Sequence, residues 1–151
     1  MGRFKYLVDS LASMESFRAK YHIPPRVGLQ YCPPDRVLTN RKEGEVVIPM
    51  IAFIKEGMTL PMGMIIRDYL LNHRLCPHQC FANMFRVLGC VDALNDQMNL
   101  GLTGHNVAHL YKCHSLLGGY YLKSQSDKVR MISCLPKSNK GMNKDFLIIS
   151  G

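Results

Sequence analysis

The chain of 151 residues has no tryptophan, few acids and no long apolar run. Its longest apolar stretches, around Val46–Ile54 and Met62–Ile66, are broken by Pro49 and Gly63. Neither approaches the roughly 20 residues that a helical membrane span needs. The N-terminus lacks the apolar core of a secretory signal, and Tyr6 stands where a myristoylation signal requires Ser or Thr. The expectation is a protein without membrane association, residing inside the cell in nucleus or cytoplasm.

Other absences narrow the chemistry. No Cys-x2-Cys pair occurs among Cys32, Cys76, Cys80, Cys90, Cys113 and Cys134, so no zinc knuckle is written here, and their spacings make no regular small-domain disulfide framework. The thiols are expected to be reduced. There is no Asp-Thr/Ser-Gly loop, phosphate-binding loop, dinucleotide fingerprint or nucleophile elbow. The acids are Asp9, Glu15, Asp35, Glu43, Glu45, Glu56, Asp68, Asp92, Asp96, Asp127 and Asp145. Most fall on expected helix faces, turns and loops, whereas a two-metal nuclease needs carboxylates that converge. Asp68 and Asp92 are expected to pair with neighbours such as Arg67 and Arg86. No catalytic residue is assigned.

What is present is the composition of one ordered domain: 47% apolar and 20% charged residues. The formal charge is +8 and unevenly spread. Residues 1–44 carry eight Lys/Arg against four acids, residues 45–118 balance, and residues 119–151 carry six against two. The two ends therefore hold the excess, which either attracts nucleic acid or forms a solvated surface.

Along the chain, Ser10 or Asp9 caps a helix to about Tyr21, with Leu11, Met14, Phe17 and Tyr21 near one face. Pro24 ends it. Val27, Leu29 and Tyr31 alternate as a strand, stopped at Cys32-Pro33-Pro34, and residues 35–45 read as a mobile basic loop. Pro49 opens a helix that Gly57 stops. Pro61 opens another, in which Met62, Ile65, Ile66, Tyr69 and Leu70 form one stripe. Pro77 opens a longer helix carrying Phe81, Met84, Phe85, Leu88, Val91, Leu94 and Met98. Thr103 caps a last helix, with Val107, Leu110, Tyr111 and Leu117, ended by Gly118 and Gly119. The period then drops to two. Tyr120–Lys123 and Val129–Cys134 flank a polar turn as a hairpin, and a polar loop, Lys137–Asn143, leads to a final strand, Phe146–Ile149. The fold class is α+β: about five helices forming the core, with a small C-terminal antiparallel sheet.

Several ordered landmarks stand out: Tyr21-His22-Ile23-Pro24, then Gly57-Met58-Thr59-Leu60-Pro61, then Gln79 with Asn83-Met84-Phe85-Arg86, then Lys140-Gly141 and Phe146 to Gly151. In this order they resemble the plant gypsy-type transposon domain family over roughly residues 17–151, with residues 1–16 as an N-terminal extension. Ala82 stands where that pattern has proline and Met142 where it has tryptophan, the marks of a diverged copy. The resemblance implies a retroelement origin, with no catalytic residue, cofactor or substrate to carry over. The chain stops on an expected strand, which suggests truncation at the C-terminus.

Two constellations invite a binding role. His73, Cys76, His78 and Cys80, with His105, His109, Cys113 and His114, mix imidazole and thiol as zinc sites do. A helix over 103–117 would align His105, His109 and Cys113. Helical His pairs arise readily without a metal, and none is expected. The second is basic and aromatic: Arg41, Lys42, Tyr121, Lys123, Lys128, Arg130, Lys137, Lys140 and Lys144. Rings beside cations on neighbouring strands suit single-stranded nucleic acid, although Tyr120 and Tyr121 must point to opposite faces. The leading expectation is a non-catalytic interaction or structural module of retroelement origin, its biochemical role and partner unassigned, with nucleic acid or another retroelement or host protein as the candidates. The alternative is a nonspecific RNA- or DNA-binding module that uses both basic ends.

Overall fold

The computed structural model describes residues 2–36, 42–116, 119–124 and 145–151. The fold is α+β, with five α-helices and antiparallel sheets of three and two strands among the described residues. Contacts divide it into two compact units. The described residues of the first are 2–36, 42–60, 76–78 and 145–151, and those of the second are 61–75, 79–116 and 119–124.

In the first unit, helix α1 spans Leu11–Lys20. The Ser10 hydroxyl accepts from Ser13 N–H at 3.1 Å, and Ser13 Oγ accepts from Ser10 N–H at 2.9 Å. This reciprocal cap satisfies donors that a helix start otherwise leaves unpaired. Only part of the expected face is covered: Phe17 is buried against Tyr21 and Phe53, but Leu11 is exposed. The Arg18 guanidinium donates to the carbonyls of Pro24 and Val27, tying the exit of the helix to the next strand.

Strand β1 (Gly28–Cys32), strand β2 (Val46–Pro49) and the final strand (Phe146–Ser150) form the three-stranded sheet. The final strand lies in the centre, with Cys32 and Pro49 both opposite Phe146. The sheet is thus not a C-terminal appendage, because its outer strands come from the N-terminal third of the chain. Helix α2 (Met50–Ile54) follows β2 directly. Pro49, expected inside its first turn, is instead the extended residue before it. Val46-Val47-Ile48 supplies the β-branched residues that favour a strand there.

Asp145 is the one buried charged residue among the described residues. Its carboxylate accepts from Phe4 N–H at 2.9 Å and Tyr31 O–H at 2.7 Å, and its carbonyl accepts from Met50 N–H at 2.9 Å. A side chain at Gly2 would collide with that carboxylate. Burial and the Asp145 hydrogen bond push the Tyr31 hydroxyl up to about 12, because both disfavour phenolate.

In the second unit, helix α3 is Met64–Asn72 and helix α4 is Ala82–Met98. Both begin later than their prolines suggested: Pro77–Gln79 is a separate 3₁₀ turn, and Phe81 is the extended residue before α4. The stripe of α3 is buried at Ile65, Ile66, Tyr69 and Leu70. That of α4 is buried from Ala82 to Val91, while Leu94 and Met98 are exposed. Asp92 accepts from Ile65 N–H at 2.9 Å and Ile66 N–H at 3.3 Å, capping α3 from α4.

Helix α5 is Gly104–Leu110, with Thr103 and Asn106 as a capping box. Asp68 of α3 accepts from Gly104 N–H at 2.7 Å. The helix expected to reach residue 117 ends at Leu110, and Tyr111 is already extended at φ −124°, ψ 134°. Residues Tyr111–Leu116 form β3, which pairs antiparallel with β4 (Gly119–Ser124). The last strand, Phe146–Ser150, is accordingly β5. The hairpin therefore pairs β4 with the segment before it. The expected partner, Val129–Cys134, the loop Lys137–Asn143, Leu117, Gly118 and residues 37–41 of the expected basic loop lie outside the described residues. No described helix is long and apolar enough to cross a membrane.

Candidate nucleic-acid interface

The β3–β4 ribbon has two unlike faces, because neighbours along a strand point to opposite sides. Its register sets Tyr111 opposite Ser124, Cys113 opposite Leu122 and Ser115 opposite Tyr120 on one face. Tyr111 and Leu122 are buried. Burial also raises the Cys113 thiol above its ordinary range, against a smaller opposing effect of Tyr69. Tyr69 is itself fully buried, and its hydroxyl makes no well-formed hydrogen bond among the described residues. Burial first, and then the nearby thiols of Cys113 and Cys80, raise its phenol well above the usual range.

The opposite face carries three rows of paired positions: Leu116 with Gly119, His114 with Tyr121, and Lys112 with Lys123. Lys112, Lys123 and Leu116 are exposed, and His114 and Tyr121 are half-buried. The His114 and Tyr121 rings lie 5.6 Å apart at 26°. Phe81 extends the array, 6.5 Å from Tyr121 at 31°. Phe81 gets there because Gly119 leaves room: a Cβ on Gly119 would lie 2.6 Å from the Phe81 ring. The face thus runs from rings at one end to two lysines at the other.

The segment before α4 secures this ribbon. Phe81 N–H donates to Tyr120 O at 2.8 Å, and Cys80 bridges Tyr120. The Asn83 side chain donates to Leu122 O at 2.9 Å and accepts from Leu122 N–H at 2.7 Å. One amide thereby satisfies both backbone groups on the outer edge of β4, as a further strand would.

Of the nucleic-acid residues expected from sequence, Tyr121 and Lys123 lie together on this face. Lys42 is exposed in a turn of the first unit, its N–H donating to Glu45 at 3.1 Å. Arg41, Lys128, Arg130, Lys137, Lys140 and Lys144 lie outside the described residues. Lys112 and His114 were missed, because reading 103–117 as a helix hid their alternation with Tyr111 and Cys113. The signal was there: Tyr111, Lys112, Cys113 and His114 alternate with period two.

The same change of element separates the proposed histidine–thiol row. His105 and His109 stay on α5, exposed and edge to face at 4.8 Å, while Cys113 sits on β3. His73 stacks on Tyr69 at 4.0 Å, with Nδ1 3.0 Å from the Tyr69 carbonyl. Among the described residues no three His, Cys, Asp or Glu side chains gather as a metal site. Asp68 and Asp92, expected to pair with arginines, hold backbone amides at helix starts. No family model, no curated protein and no solved structure matches the chain.

Proposed function

We propose that the chain is a non-catalytic binding module that contacts nucleic-acid phosphates through the open face of the β3–β4 ribbon. The observation that carries this is the pairing of Lys112 directly across from Lys123. Both are exposed, and neither forms an ion pair with a described residue. Like charges set opposite one another destabilise a strand pair. A phosphate between them turns that repulsion into attraction, and the net charge of +8 acts in the same direction at longer range. The non-catalytic part of the reading is supported by how the carboxylates are used: Asp68, Asp92 and Asp145 accept backbone amides. A retroelement origin is part of the proposal and rests on the ordered sequence landmarks alone.

The test is fluorescence anisotropy with labelled single-stranded RNA and duplex DNA, titrated with salt. The expected result is affinity that falls linearly with salt on logarithmic axes. Replacing both lysines, Lys112→Gln with Lys123→Gln, should reduce that slope by about 1.5, the value for two phosphate contacts. No binding even at low salt removes the proposal.

A further inference from the structure

We infer that the ribbon face takes unpaired bases, so that the module selects single strands over duplexes. This rests on the nucleic-acid reading above and adds to it the class of ligand. The rows on the face differ in chemistry. Lys112 and Lys123 offer charge and hydrogen-bond donors, which any phosphate backbone satisfies. His114, Tyr121 and Phe81 offer rings within 26° and 31° of parallel, which a phosphate does not satisfy. Bases do, because every base has a π-face that stacks on an aromatic side chain.

A duplex keeps those faces inside its own stack, so it reaches only the lysine row. A single strand reaches both rows, with its backbone on the cations and a base on the rings. Selection is then by strandedness more than by sequence, since stacking on a ring is open to every base. The position of Phe81 belongs to the same design. Gly119 opens the space the Phe81 ring fills, and Phe81 N–H anchors that ring's backbone to β4. Tyr121 is therefore the ring that neighbours both of the others, 6.5 Å from Phe81 and 5.6 Å from His114.

The experiment measures anisotropy at low salt with three labelled probes of equal length: oligothymidylate, an abasic strand and a duplex. Wild type should bind oligothymidylate roughly tenfold more tightly than the abasic strand or the duplex, the range for one stacked base. Tyr121→Leu should bring oligothymidylate down to the abasic level and leave the abasic strand unchanged. Tyr121→Phe, which keeps the ring, should bind as wild type. Equal, salt-sensitive binding of all three probes by wild type overturns the inference and leaves phosphate contact standing. So does a Tyr121→Leu variant that loses the abasic strand to the same extent, since that reports a disturbed ribbon. Absence of binding by wild type to every probe overturns the inference and the underlying reading together.

Discussion

β5 and the β3–β4 ribbon follow the same rule of alternation and reach opposite ends. Phe146, Leu147, Ile148 and Ile149 are apolar without interruption, and β5 runs between two partners, with Phe146, Leu147 and Ile149 buried. A strand written this way must be covered on both faces. The ribbon alternates instead: Tyr111 inward, Lys112 outward, Leu122 inward, Lys123 outward. Covering one face was enough, and the other remains open. The contrast shows where structure ends and surface begins more clearly than charge does, since basic residues are spread over both ends of the chain.

The sharpest way to test this contrast is to truncate one residue from each. Leu147 is fully buried in the central strand, so Leu147→Ala should lower unfolding free energy by about 3 kcal/mol. Tyr121 is half-buried on an open face, and Tyr121→Ala should cost about 1 kcal/mol or less. Urea unfolding of the two variants measures both. Equal losses would mean that the open face is core.

A smaller effect probes how the ribbon is held. Asn83→Ala leaves both backbone groups of Leu122 without the amide that pairs them, and should cost about 2 kcal/mol. Hydrogen exchange at the Leu122 amide should quicken alongside. An unchanged exchange rate would show that the ribbon is secured from its inner face alone.

These two regions also mark what could be read from the residues. The stripe of α3 and the cap of α1 were legible because their signals are local: a 3.6 period, and a serine one residue before it. β5 was legible as a strand but not as the centre of a sheet, since its partners lie more than 95 residues away in sequence, as Val46 opposite Ile149 shows. β2 was hidden because Val46-Val47-Ile48 is short and followed at once by Pro49 and the apolar start of α2, and Pro49 fits a first helical turn. β3 was hidden because no glycine or proline separates Leu110 from Tyr111, and Val107, Leu110 and Tyr111 fit a helical stripe. Half of the candidate site followed from that one boundary. Tyr121 and Lys123 were visible in a plain strand, whereas Lys112 and His114 became neighbours only through the register.

The pH dependence belongs to the first region. Tyr31 stays neutral in the fold to about 12, against 10 in a free side chain, through burial and its bond to Asp145. Its contribution to stability is therefore whole below pH 10 and disappears as pH climbs toward 12. The ring is partly solvated, so about 1 kcal/mol is at stake after screening. Comparing wild type with Tyr31→Phe by urea unfolding across that window should show the gap between them narrowing. A constant gap would mean that the phenol does not report on the Asp145 bond.

The smallest effect on stability separates the two regions most cleanly. Lys112→Glu converts a repulsive cross-strand pair with Lys123 into an attractive one, which should raise stability by about 0.5 kcal/mol. The same change should weaken oligonucleotide binding and reduce its salt slope by at least about 0.7, one phosphate contact of a single strand. Structural residues do not behave in this way, because improving their local energy leaves the remaining functions alone or strengthens them. Opposite signs in urea unfolding and in anisotropy would place the lysine pair on the side of the ligand. A variant less stable than wild type and undiminished in binding would return Lys112 and Lys123 to the solvated surface, and the open face of the ribbon with them.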